Sequence, residues 1–306
     1  MSSAPKNRPL NPRRIGVIMM HTFTQLVRMK VFYFLGIFSV ILLASNLFDI
    51  QNIDQRPDLD GTDVLRSIRS WSLGTMTLFS VVLGVVATAL LLPKDIEDRT
   101  LYTVLAKPVP RLDYLIGKLF GVLMLLFVSL ALMDVLMSAV LAIRTHYVVA
   151  EQVAGMKAAG WSEDQMEVVR QQTMNQGVTW SLHGGVLIVF LRATVVASLS
   201  LLLSTFTTST LFTTITGLMM YFIGNFEQEA LSMYLGPQGG MGPLERLVSM
   251  IVMSIFPNFS IYNLVDSVIE GTPLLLGDLG GMIGITAYYL VLHLFVSWIV
   301  FAKKEF

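Results

Sequence analysis

The 306-residue chain has no cysteine, four histidines and only 14% charged residues. Without cysteine it can form no disulfide, no zinc–thiolate site and no thiol nucleophile, whatever its redox compartment. It lacks the phosphate-cradling loop in which four residues separate Gly from Gly-Lys-Ser/Thr, because Gly117-Lys118 is followed by Leu119. Neither Gly-x-Ser-x-Gly nor His-Glu-x-x-His occurs, no second histidine stands at metal-ligand spacing, and no two carboxylates pair within an apolar run. A membrane-embedded enzyme would have no catalytic set to work with, so no catalytic residue and no metal site is expected. Residues 1–30 also lack a compact apolar run followed by a small-residue cleavage site, which argues against a cleavable signal.

What is present is apolar. Hydrophobic residues make up 54% of the chain and the mean hydropathy is +0.67, outside the range of ordinary soluble domains. A bilayer core of about 30 Å takes about 20 apolar residues as helix, since no water is there to satisfy free backbone groups. The expected fold is therefore all-α, a polytopic membrane helical bundle in one domain over residues 1–306, with six transmembrane helices at about 31–48, 71–92, 119–141, 184–203, 206–226 and 279–302. The fifth carries Thr207, Thr208, Ser209, Thr210, Thr213, Thr214 and Thr216, hydroxyls that a helix accommodates by bonding its own carbonyls or a neighbour. Residues 244–271 hold an apolar stretch too short to cross, stopping at Pro257, and read as a partly inserted outer-leaflet segment, with a seventh, kinked span as the alternative.

Lysines and arginines set the orientation, because positively charged loops stay on the cytoplasmic side. With both termini inside, roughly 13 of the 21 basic residues are cytoplasmic, while the acidic residues lean outward, so a net charge of zero covers a polarised molecule. Residues 11–30 predict an amphipathic helix on the inner membrane surface, with Ile15, Ile18, Met19, Leu26 and Val27 on one face and Arg13, Arg14, Gln25 and Arg28 polar; a basic topogenic tail is the plainer reading. Of the outer loops, 49–70 reads as an acidic linker with Asp54, Asp58, Asp60 and Asp63. The other, 144–177, is helix-like, with Ser162 able to cap a helix and Gln165 at the reciprocal position.

The densest charge lies between the second and third spans, at residues 93–118. Pro93 should terminate the second span, and Asp95, Glu97 and Asp98 then favour a helix N-terminus. Leu101, Val104 and Leu105, spaced three and four apart, give a short surface helix an apolar face, and Lys107-Pro108-Val109-Pro110 ends it. Arg111 and Lys118 bracket the start of the third span.

At these residues the chain resembles the permease subunits of type-2 ATP-binding-cassette exporters. Glu97, Thr100, Leu101, Val104, Leu105, Pro108, Val109, Arg111, Gly117 and Lys118 fall in register with that family's pattern, while Arg99 stands where many members have glycine. The resemblance implies that 93–110 is a cytoplasmic coupling helix touching a separate ATPase, with Glu97, Thr100, Leu101, Val104, Leu105, Pro108, Arg111 and Lys118 as the coupling residues. It further implies that ATP and Mg are bound by that ATPase partner and not by this chain. The working unit is then two permeases, identical or paralogous, with two ATPases in a bacterial inner membrane. Direction would be export. No nucleic acid is expected as a partner.

A few polar residues remain inside the spans, where a side chain left facing lipid costs several kcal/mol. Asp134 and Arg192 lie at heights that an arginine could bridge, predicting an interhelical ion pair or a substrate passage. His293 and Asn225 read as packed hydrogen-bonding residues, and Gly280, Gly281 and Gly284 as sites of close helix contact. The rival functions are an ion-gradient-driven secondary transporter, which the absence of a visible internal repeat disfavours, and a non-transporting membrane anchor.

Overall fold

The computed structural model describes residues 10–45, 61–97, 109–207, 209–235, 242 and 257–303, with backbone alone at 61, 92–97 and 227–235. Helix α1 (Pro12–Val27) starts where the Asn11 side chain accepts a hydrogen bond from the Arg13 amide, with Pro12 at the first helical position. It breaks at Arg28 and Met29 and bends 67° into α2 (Lys30–Ser45). α3 (Gly61–Glu97) and α4 (Arg111–Ala158) are the long members, at 37 and 48 residues. α5 (Glu163–Asn175) is polar, whereas α6 (Trp180–Phe206) is buried along most of its length. α7 (Thr210–Leu235) precedes a 3-10 turn (Phe259–Asn263), the short α8 (Leu264–Ile269) and the last helix, α9 (Leu276–Lys303).

The core is built on α6. Its most extensive partner is α3, which meets it at Ala193 and Ala197 beside Gly84, and α9 and α4 cover much of its remaining surface. Large apolar side chains left on the outside, such as Phe34, Phe38 and Ile41 on α2, Leu132 and Val135 on α4, and Leu211, Phe212 and Met219 on α7, are what a bundle in hydrocarbon presents to its solvent. Among the described residues, α3, α4, α6 and α9 are long and apolar enough to cross a membrane, and the bent α1/α2 pair makes five if taken as one span. α7 supplies a shorter apolar stretch, Thr210–Phe226.

Several boundaries differ from the sequence reading. α3 does not stop at Pro93 but stays helical to Glu97. A proline removes one amide donor, and the amides after it still reach carbonyls one turn back, so a helix end survives it. The outer linker expected up to residue 70 is helical from Gly61, and α4 runs seventeen residues past the expected end at 141 because 142–158 hold no proline and a single glycine, Gly155, near the end. Of the proposed surface helix, 98–108 lies outside the described residues, and so do Thr100, Leu101, Val104, Leu105 and Pro108. Of 244–271, the described part is the 3-10 turn, α8 and their flanks, too short to cross.

The cap at Ser162 forms as expected, with the Ser162 hydroxyl accepting from the Gln165 amide and the Gln165 side chain accepting from the Ser162 amide. Ser162→Ala should weaken α5 by about 1 kcal/mol. Hydrogen exchange of the amides of 163–168 would quicken accordingly, and unchanged protection there would show that the cap contributes nothing.

Candidate functional site

Two ends of the bundle are tied by polar groups, and a third set lies between them. At the end that holds α1, the start of α4 and the end of α9, three contacts converge on one turn of α4. Asp113, an acid in that first turn with its carboxylate 1% exposed, pairs with Arg14 of α1 at 3.1 Å. Arg111 donates to the carbonyls of Phe301 and Ala302 at 2.5 and 2.8 Å, satisfying acceptors that the end of α9 leaves open. The same guanidinium lies 5.8 Å from the Phe301 ring, which stacks on Tyr114 at 6.0 Å.

Gly117 and Gly121, one turn apart on α4, then admit the backbone of α1. A Cβ on Gly117 would lie 2.7 Å from Ile18 Cβ, and one on Gly121 would lie 2.6 Å from Thr22 Cβ and 2.9 Å from the Met19 carbonyl. α1 is therefore bound to the bundle through the Ile15, Ile18 and Met19 face that the sequence predicted. Arg14, expected among its free polar residues, turns inward instead, because Asp113 offers a buried counter-charge.

Among the expected coupling residues, Arg111 braces the start of α4 against the end of α9. Lys118 is only 3% exposed, its ammonium over the Tyr114 ring at 5.6 Å, so it sits inside the bundle and not on a surface offered to a partner. Glu97 is the last residue of α3.

The expected pairing of Asp134 with Arg192 does not form. Asp134 takes His183 instead, at 2.8 Å, with Trp180 edge-on to the imidazole. Arg192 donates to the Phe259 carbonyl at 3.1 Å and to Asn263 Oδ1 at 2.6 Å, holding the 3-10 turn against α6. Helical height alone made the pairing plausible; the faces on which the two residues lie direct them to different neighbours. His293 bonds the Ser198 hydroxyl at 2.8 Å and stacks on Tyr289, the packed role expected of it. Gly224 on α7 is fixed by close approach, since a Cβ there would lie 2.5 Å from the Pro257 carbonyl.

Arg192 also lines a cavity of about 590 Å³ between α3, α7 and the 3-10 turn with α8. Its apolar wall includes Leu73, Leu78, Val81 and Phe222, and its polar groups include Tyr221, Asn263 and Asp266.

At the opposite end, Arg69 of α3 is 1% exposed and makes four hydrogen bonds. It donates to Gln176 Oε1 at 2.9 Å and to the carbonyls of Val268 at 3.3 Å, Asn175 at 3.2 Å and Gly177 at 2.7 Å. Gln176 in turn donates to the Glu270 carbonyl, and beside it Gly271 adopts φ +86, where a side chain would meet both steric and backbone penalties. This hub was not read from the sequence. No spacing or motif in the sequence marks it.

A bundle of long apolar helices around a buried α6, tied by polar groups at both ends and between them, is the architecture of a multi-pass membrane protein. The family model described as ABC-2 family transporter protein matches residues 17–306, and the chain belongs to that family. It is a multi-pass ABC transporter permease. No curated protein matches the chain.

Proposed function

We propose that this permease forms the translocation pathway of an ATP-driven exporter, with ATP and Mg bound by a separate ATPase subunit that grips the segment joining α3 to α4. The observation that carries the reading is mechanical. The segment leaves α3 at Glu97 and rejoins the chain at Arg111, and these two helices flank the buried α6. Arg111 and Asp113 fasten the start of α4 to α9 and to α1, so a push delivered there moves four helices together instead of bending one loop.

On this reading the chain crosses the membrane six times, with α2 and α7 as the two shorter crossings, and 93–110 lies on the cytoplasmic face as the coupling helix. Both termini are cytoplasmic, the membrane is the bacterial inner membrane, and a second permease copy or paralogue completes the pathway. Thr100, Leu101, Val104, Leu105 and Pro108 then supply the contact surface, with Glu97 at its edge.

The test is recovery of an ATPase with the full chain, purified in mild detergent from cells that make both. Glu97→Lys should lower the recovered ATPase at least about tenfold, the cost of losing one charge-assisted contact, and Arg111→Glu should lower it by releasing the start of α4 from the end of α9. A thermal melt of each variant separates lost docking from lost folding. Failure to recover any ATPase with the unaltered chain overturns the reading, and undiminished recovery with both variants overturns the residue roles.

A further inference from the structure

The cavity beside Arg192 carries two charges of opposite sign that do not meet. Arg192 is 8% exposed, and of its nitrogens only Nη2 is bonded, to Phe259 and Asn263; Nε and Nη1 make no hydrogen bond with any described residue. A guanidinium at the level of the spans is costly to keep with donors unused, and that cost is recovered only if an acceptor reaches it. Asp266 lines the same cavity, and no ion pair joins it to Arg192.

Asp266 follows Asn263 by three residues, which places it about one helical turn, roughly 5–6 Å, from the residue that bonds the guanidinium. A ligand bearing one anionic group would satisfy Arg192 and be repelled by Asp266. A ligand with an anion and a cation a few bonds apart satisfies both. The rest of the wall, Leu73, Leu78, Val81 and Phe222, asks for hydrocarbon, and about 590 Å³ is within the range of sites that hold a small molecule or part of a larger one.

We infer that this cavity binds a zwitterionic amphiphile, its phosphate or carboxylate on Arg192, its ammonium at Asp266 and its apolar portion along α3 and α7. As the site of a transported cargo the inference rests on the exporter reading above; as a binding site it does not, since nothing in it needs the ATPase. Binding to the full chain, purified alone in a non-ionic maltoside detergent, therefore tests it separately.

The probes are a radiolabelled short-chain phosphatidylethanolamine, the matching phosphatidylglycerol, which keeps the phosphate and loses the ammonium, and phosphorylethanolamine, which keeps the headgroup and loses the tails. The zwitterionic lipid should bind about tenfold tighter than either of the others, one charged contact or one apolar portion being worth at least that factor. Arg192→Gln should weaken it about tenfold, with Arg192→Lys recovering part of the loss. Asp266→Asn, an exposed position that folding tolerates, should erase the preference over phosphatidylglycerol.

Equal binding of the two lipids to the unaltered chain overturns the inference, as does an unchanged preference in Asp266→Asn. Tight binding of phosphorylethanolamine alone overturns the apolar part and makes the ligand a soluble zwitterion. If Arg192→Gln fails to fold, the Asp266 comparison decides.

Discussion

Arg69→Met should lower the stability of the bundle by roughly 3 kcal/mol and open one end of it first. The arginine side chain is buried and its four acceptors come from three separate places: the end of α5, the link into α6 and the end of α8. Methionine fills much of the same volume, so the packing loss is small. What is lost is the only described donor to the carbonyls of Asn175, Gly177 and Val268 that another helix supplies. The Val268 carbonyl keeps the Gly271 amide as a donor, but a buried carbonyl left without one, as at Asn175 and Gly177, costs about 1–3 kcal/mol, and relief of the arginine's own desolvation offsets part of the sum.

The expected signature is local before it is global. Amides of 264–271 and 175–177 should exchange faster, and the thermal midpoint in detergent should fall. Arg69→Lys should rescue little, because one ammonium cannot span four acceptors that a planar guanidinium reaches at once. A methionine variant that melts and exchanges like the parent would show that the hub is dispensable.

The second large effect is expected at Gly121. Its missing side chain is the space occupied by α1: a Cβ would lie 2.6 Å from Thr22 Cβ and 2.9 Å from the Met19 carbonyl. Neither atom is the far end of a flexible chain, so Gly121→Ala forces the two helices apart, at a cost of about 1–3 kcal/mol, and Gly121→Leu should detach α1 altogether. Separation of the helices would also strip Asp113 of Arg14 and leave a buried carboxylate without its counter-charge.

Protease susceptibility of the first 28 residues reads the detachment directly. If α1 merely lay on a membrane surface, the leucine variant would leave its protection unchanged. The contrast with Gly280, Gly281 and Gly284 is useful: a Cβ on any of these meets nothing within 4 Å in one copy of the chain. Alanine at those positions should therefore be neutral to the stability of the isolated chain.

Much of this architecture was legible in the residues. An apolar run long enough to cross hydrocarbon must be helical because its backbone has no other partner, and so the four strongest spans fall within the helices found. The Ser162–Gln165 cap and the residues that share the apolar face of α1 were legible for a similar reason, since both depend on neighbours one turn away, whereas the packing of that face on α4 and not on a membrane surface was not. The resemblance to exporter permeases rested on an ordered run of residues around Glu97 and Arg111, whereas the family model matches along residues 17–306.

Partners across the bundle were decided by the tertiary structure alone. Helical height makes Asp134 and Arg192 a plausible pair, but height leaves the rotation of each helix free, and rotation gives Asp134 to His183 and Arg192 to Asn263. No local pattern marks Arg69 or Asp113; the fold buries them by closing other helices over them. Sequence determines which groups a helix carries and on which of its faces. Only the packing of one helix on another fixes which face meets which, because that choice is made by the summed fit of many contacts and not by any local pattern.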